Sequence, residues 1–83
     1  MLGTFVSDFA YGAQRVEVKR GSTFTWRFAG PSRHDVTLAN GPVGFSSPSV
    51  SSGTFSFRFT KPGVYHLYCS LHPAVMTETV TVR

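Results

Sequence analysis

Short runs in which apolar and polar residues alternate make up most of the chain, and glycine or proline separates them. Residues 23–28 place Phe24, Trp26 and Phe28 at every second position, and residues 54–60 repeat this pattern with three phenylalanines. Side chains of a β-strand alternate between the two faces of its sheet, so each run has one buried and one solvated face. The pattern therefore predicts half-buried β-strands rather than helices.

The same alternation predicts strands along the whole chain. They cover residues 4–9, 15–19, 23–28, 34–39, 54–60, 64–69 and 76–83. Turn formers occupy residues 20–22 and 61–63, whereas residues 40–53, rich in serine, glycine and proline, form one long irregular segment. Strands at this spacing predict an all-β fold, an antiparallel sandwich or small barrel of about seven to eight strands.

Composition limits the size and class of the protein. A chain of 83 residues has room for one hydrophobic core, which predicts a single domain over residues 1–83. No apolar run approaches the ~18 residues of a membrane-spanning helix. The start of the chain lacks the basic and apolar segments of a signal peptide, so we expect either a cytoplasmic chain or one from which a leader or neighbouring domain has been removed.

The net charge of +4 favours acidic partners. The cations do not form a block, which argues against a nucleic-acid-binding protein, because such proteins usually cluster them. The arginines lie at positions 15, 20, 27, 33, 58 and 83.

A group of metal-binding residue types follows the strand at residues 64–69. Two residues separate Cys69 from His72, and three separate His72 from Met76. Alone, each is most often structural, since a single cysteine or methionine usually packs as a hydrophobic residue. Together, a thiolate, an imidazole and a thioether match most of the blue-copper ligand set, which has two histidines, one cysteine and a weak axial methionine.

The second imidazole must come from elsewhere in the chain. His34 opens the strand 34–39 directly after a predicted turn at residues 29–33, so it can lie at the same end of the sandwich. Zinc is the rival metal, but it prefers a carboxylate to a thioether, so Asp35 would have to replace Met76. Adjacent strand residues point to opposite faces, which places Asp35 away from His34 and favours copper.

These residues, in this order, resemble the cupredoxins, the small blue copper proteins that include plastocyanin, amicyanin and pseudoazurin. The resemblance extends over the chain, and residues 63–72 are most similar to plastocyanin. It implies a Greek-key β-sandwich with one copper ion held by His34, Cys69, His72 and, axially, Met76. The matching segments are residues 8–11, 16–18 with Gly21, 25–26, 34–36, 54–57, 62–65 and 69–76.

The resemblance also gives roles to residues around the ion. Asp35 stands where the family usually has asparagine, and it is expected to contact the ligand loop near Ser70 and to donate its backbone N–H to the Cys69 sulfur. An ionised Asp35 would favour Cu(II) and lower the reduction potential. Leu71 replaces the proline of plastocyanins, and the spacing between the last two ligands lies between those of amicyanin and plastocyanin.

A copper site filled by four protein ligands leaves no position for a substrate, which favours outer-sphere electron transfer over catalysis. The resemblance implies an exposed His72 inside an apolar docking patch, and redox proteins as partners. The net basic charge predicts an acidic docking surface on those partners. We also expect a monomer in the periplasm or outside the cell. The predicted docking residues are Leu71, Pro73, Ala74, Val75 and Tyr68.

Two other functions remain open from the sequence. One is a copper-binding domain that stores, delivers or senses copper, or a module of a larger oxidase or reductase. The other is a metal-free binding module or a thiol enzyme that pairs Cys69 with His72, although no oxyanion donors can be named for it. The single cysteine excludes a thiolate-bridged dinuclear copper centre.

Overall fold

The computed structural model describes residues 2–7, 10–12, 14–72 and 76–83. The regular secondary structure of these residues consists of β-strands. The alternating runs of the sequence account for most of them. The strands are β1 (Leu2–Ser7), β2 (Ala10–Tyr11), β3 (Arg15–Val18), β4 (Ser22–His34), β5 (Thr37–Asn40), β6 (Val50–Phe59), β7 (Gly63–Tyr68) and β8 (Thr77–Val82).

The strands form two four-stranded sheets, in the orders β2-β1-β4-β6 and β3-β8-β7-β5. From β3 to β7 each successive strand lies in the other sheet, which gives the predicted Greek-key sandwich. Most strand pairs are antiparallel as expected, but β1 pairs with β4, and β3 with β8, in parallel. Alternation of side chains fixes the buried face of a strand but not the direction of its neighbour.

Strand β4 is longer than the sequence pattern predicts. It continues through the expected turn at residues 29–33, so His34 ends this strand instead of opening the next one. Strand β6 also begins inside the expected irregular segment, at Val50, which pairs with His34. The pairing register shifts between Ala29 and His34. Backbone pairing between β4 and β6 therefore extends beyond the residues in which apolar and polar side chains alternate.

Aromatic side chains fill the space between the sheets. Trp26 is fully buried, and its ring lies 4.8 Å from Phe24 in an edge-to-face contact. Phe45, from the segment predicted to be irregular, stacks on Phe57 with ring centres 4.0 Å apart and also contacts Trp26. The segment between β5 and β6 therefore closes one side of the core.

Side chains of β7 alternate between the surface and the core. Tyr65 is fully buried and donates its hydroxyl to the Lys61 carbonyl at 2.8 Å, which forms a tyrosine corner. Leu67 is buried and His66 is exposed. Tyr68 is half-buried.

Different strand ends and turns lie at the two ends of the sandwich. One end, called the site end below, holds the last residue of β4, the residues that follow β7 and the start of β8. The opposite end holds the β3–β4 turn, where Ser22 donates its N–H to the Lys19 carbonyl at 3.0 Å. Gly21 adopts a φ of 89° in this turn, a conformation that favours glycine.

Candidate metal centre

Three potential metal ligands meet at the site end of the sandwich. His34 ends β4, Cys69 directly follows β7, and His72 lies in the loop before β8. The ligand atoms of the three residues lie within 4.8 Å of one another. His34 and Cys69 are fully buried, whereas His72 is half-buried. Residues 35 positions apart in sequence thus form one compact group of donors.

The loop that carries Cys69, His72 and Met76 is closed by its own backbone hydrogen bonds. His72 donates its N–H to the Cys69 carbonyl at 3.1 Å, and Met76 donates to the His72 carbonyl at 3.0 Å. Cys69 donates in turn to the Met76 carbonyl at 3.0 Å. Met76 is fully buried. These bonds hold the backbones of the three predicted ligands close to one another.

The donor atoms fit a single trigonal metal ion. The Cys69 sulfur lies 4.0 Å from His34 Nδ1 and 3.7 Å from His72 Nδ1. An ion bonded to sulfur at about 2.3 Å and to nitrogen at about 2.05 Å, as in zinc sites, places sulfur and nitrogen about 3.8 Å apart at an angle of 120°. The two distances lie on either side of this value, so the sulfur and each imidazole nitrogen are spaced as two ligands of one ion would be.

The Asp35 carboxylate faces away from this triangle. It accepts the Ser70 N–H at 2.8 Å and the Thr37 hydroxyl at 3.0 Å on Oδ1. Its Oδ2 accepts the hydroxyls of Ser70 and Ser49. The predicted contact between Asp35 and the ligand loop is therefore present. Among the described residues, Asp35 is not part of the group that can hold a metal, so it does not complete a zinc site in place of Met76.

The backbone around Asp35 is held from several directions. Its N–H points to the Cys69 sulfur at 3.4 Å, as predicted, and its carbonyl accepts the Tyr11 hydroxyl at 2.8 Å. The next N–H, of Val36, donates to Ser47 Oγ at 2.8 Å. Burial raises the pKa of Tyr11 above its usual range, and nearby acidic groups add to the effect, so its hydroxyl remains a donor.

The residues predicted to surround the site have different exposures. Leu71 is 49% exposed next to half-buried His72, which gives the site end an apolar surface residue. Tyr68 is half-buried and so less exposed than Leu71. The other three predicted docking residues, Pro73, Ala74 and Val75, lie outside the described residues.

Sequence reasoning missed a buried carboxyl group in the core. Glu78 is 2% exposed, and its Oε1 accepts the Trp26 indole N–H at 2.8 Å. Its Oε2 has no hydrogen-bond partner among the described residues. Burial raises the pKa of Glu78 to about 7, although the bond from Trp26 acts in the opposite direction. The sequence did indicate that Glu78 is buried, because it lies on the same face of β8 as the apolar residues Val80 and Val82.

Comparison with known proteins finds a matching family and similar structures. A family model described as copper binding proteins of the plastocyanin/azurin family matches residues 2–83. Amicyanin-alpha of Methylorubrum extorquens is 28% identical over 79 residues, which cover 90% of this chain. The chain spans 66% of the length of that relative, slightly less than two thirds.

Solved structures of amicyanin are similar over nearly the whole fold. A reduced Cu(I) form of an amicyanin variant at pH 4 matches with a TM-score of 0.89 and 27% identity. The match covers 99% of this chain and 81% of that chain. The Cu(I) structure of a second amicyanin variant, which has glutamine in place of a methionine, gives the same TM-score at 26% identity. The part of the chain that the structure describes contains no apolar helix of membrane-spanning length.

Proposed function

Because the chain belongs to the plastocyanin/azurin family of copper-binding proteins, we propose that it is a type 1 copper protein that carries single electrons between redox partners. Its cofactor is one copper ion. The observation that carries the proposal is the buried triangle of one sulfur and two imidazole nitrogens at the site end. We propose that His34, Cys69, His72 and Met76 are the residues that would hold this ion.

The protein's contribution is to keep these donors in place while the charge of the site changes. Copper, when bound, supplies a change of one electron between Cu(I) and Cu(II). The Asp35 N–H stabilises the Cys69 thiolate, and the backbone bonds of the loop fix the positions of His72 and Met76. A site whose ligands move little on reduction favours electron transfer over bond-making, which supports a carrier rather than an enzyme.

Electrons enter and leave where the site approaches solvent. His72 is half-buried beside exposed Leu71, whereas His34 and Cys69 are fully buried. A small apolar surface next to the ligand suits the brief, weak encounters of redox proteins. We propose that Leu71, with Pro73, Ala74, Val75 and Tyr68, forms this contact, and that the partners are redox proteins with acidic docking surfaces.

Further parts of the proposal follow from the family. The chain forms one cupredoxin domain over residues 1–83, acts as a monomer and functions in the periplasm or outside the cell. A copper-binding domain that stores or delivers the metal is the competing function, because a half-buried ligand beside the surface also offers a route for the ion itself.

Voltammetry of the copper-loaded protein separates these two functions. A carrier gives a reversible one-electron wave and keeps Cu(I) when a Cu(I) chelator is added in excess. The variant Cys69→Ser, which has nearly the same volume but no thiolate, is the control and loses the reversible wave. Rapid transfer of Cu(I) to the chelator, together with slow or irreversible reduction, would support copper delivery and contradict the carrier function.

A further inference from the structure

Positive charge dominates the surface of this protein. All eight lysine and arginine residues are exposed. Two of the four acidic residues, Asp35 and Glu78, are buried at 3% and 2% exposure. Among the described residues, Glu17 is the single exposed carboxylate. The surface is therefore more basic than the composition alone indicates.

Most of these cations lie at the end of the sandwich opposite the site end. The Arg20 N–H donates to the Arg83 carbonyl at 2.8 Å, and Arg58 Nε donates to the Gly21 carbonyl at 3.1 Å. The connection from β6 to β7 joins this group, because Gly63 pairs with Val82. The basic end, as we call it, consists of Lys19, Arg20, Arg58, Lys61 and Arg83.

The basic end accounts for the whole net charge of the protein. Its one acidic neighbour is Glu17, which lies 2.7 Å from Arg83 in an ion pair whose side chains are both well exposed. Five cations and Glu17 leave four positive charges, which equals the formal net charge of +4. The rest of the chain, with three arginines and three acidic residues, is formally neutral.

This distribution places most of the positive charge far from the metal centre, where Arg33, next to His34, is the neighbouring exposed cation. Strand β4 begins in the basic end at Ser22 and finishes at His34 in the metal centre. Strand β8 runs the opposite way, from Thr77 beside the metal centre to Val82 at the basic end, in six residues, a length of about 20 Å. An anionic surface that attracts the basic end therefore leaves the site end pointing away from it.

Exposed aliphatic side chains accompany the charges. Leu2, paired with Phe24 near the start of β4, is 43% exposed. Val64, next to the β6–β7 connection, is 47% exposed. Cations mixed with a few exposed aliphatic groups suit the headgroup region of a bilayer, where phosphates pair with the cations and the aliphatic groups enter the interface.

We propose that the basic end binds the surface of an anionic phospholipid bilayer and holds the metal centre outward. An acidic redox protein is the less suitable occupant, because a partner docked there lies far from the metal. Each cation near an anionic membrane strengthens binding about fivefold, so four net charges give weak, reversible adsorption that decreases as salt rises. The proposal is independent of the electron-transfer function, since it uses none of the metal ligands.

Vesicle sedimentation of the copper-loaded protein tests this surface. The probes are vesicles of pure phosphatidylcholine and vesicles in which one third of the lipid is phosphatidylglycerol, each at low and at high salt. The variant Arg20→Gln/Lys61→Gln removes two charges of the basic end, and Arg15→Gln/Arg27→Gln removes two exposed arginines outside it. We expect binding to the anionic vesicles only, a loss of roughly 25-fold in the first variant and a much smaller loss in the second.

Three outcomes would overturn the proposal. Equal losses in the two variants would mean that net charge, not the basic end, determines binding. No binding of the unchanged protein to anionic vesicles at low salt would exclude the bilayer. Binding to immobilised polyglutamate without binding to vesicles would assign the basic end to an acidic protein instead. Far-ultraviolet circular dichroism of both variants confirms that they are folded.

Discussion

Asp35 is the residue by which this metal centre departs most clearly from the usual family pattern. The family resemblance leads one to expect asparagine, which has one acceptor oxygen and one donor group. Here both carboxylate oxygens accept hydrogen bonds, from Ser70, Thr37 and Ser49. A carboxylate therefore serves the same structural contact as asparagine but adds a buried negative charge beside the ligand loop.

The variant Asp35→Asn is expected to raise the reduction potential. A buried negative charge stabilises Cu(II) relative to Cu(I), and two unit charges near a protein surface interact by on the order of 1 kcal/mol or more at an effective dielectric constant of about 20. Voltammetry should show a rise of several tens of millivolts. A tenfold change in the equilibrium between Cu(II) and Cu(I), about 1.4 kcal/mol, corresponds to about 59 mV for one electron. Ser49→Ala, which removes one donor but no charge, is the control and should change the potential less. An unchanged or lowered potential in Asp35→Asn would contradict this role.

Strands β4 and β8, which lie in different sheets, are joined across the core by the bond from Trp26 to Glu78. Burial raises the pKa of Glu78 from 4.5 to about 7, so the folded protein holds this proton more tightly than the unfolded chain. The contribution of Glu78 to stability is therefore most favourable below pH 4.5 and decreases as the pH rises to 7.

Glu78→Gln should remove this pH dependence, because an amide oxygen can accept the Trp26 bond without ionising. The free energy of unfolding of the unchanged protein, relative to that of Glu78→Gln, is expected to fall by on the order of 3 kcal/mol between pH 4.5 and 7. Denaturant unfolding of both copper-loaded proteins measures this difference. A difference that stays constant with pH, or rises, would contradict the raised pKa.

The sequence predicts which strands exist better than where they end. The alternation at Phe24, Trp26 and Phe28 correctly identifies the buried face of β4. It does not reveal that β4 continues to His34, because that extension depends on pairing with β6, a contact between distant residues. The two-residue strand β2 was not predicted either, since so short a segment has no measurable period.

For the molecule as a whole, the spacing of Cys69, His72 and Met76 made the metal centre predictable, because residue type and order carry ligand chemistry directly. Tyr11 was not predictable as a support for the site. Its bond to the Asp35 carbonyl depends on how the two sheets pack, which no local pattern records.

The placement of charge is a second property of the whole molecule that the sequence conceals. The cations are scattered along the chain, yet the topology brings five of them to one end. The net charge predicts an acidic partner, whereas the fold places most of that charge far from the metal centre. Docking at the site end therefore depends more on apolar contact around Leu71 than on attraction between net charges.

The optical spectrum of the protein with one equivalent of Cu(II) tests most directly whether Cys69, His34, His72 and Met76 form a type 1 copper site. We expect an intense band near the red end of the visible range, from charge transfer between the Cys69 sulfur and copper, and its loss in Cys69→Ser. A dominant band at shorter wavelength would retain Cys69 as a ligand but indicate a stronger bond to Met76. The absence of a charge-transfer band would show that Cys69 does not bind copper and would contradict the proposed electron carrier.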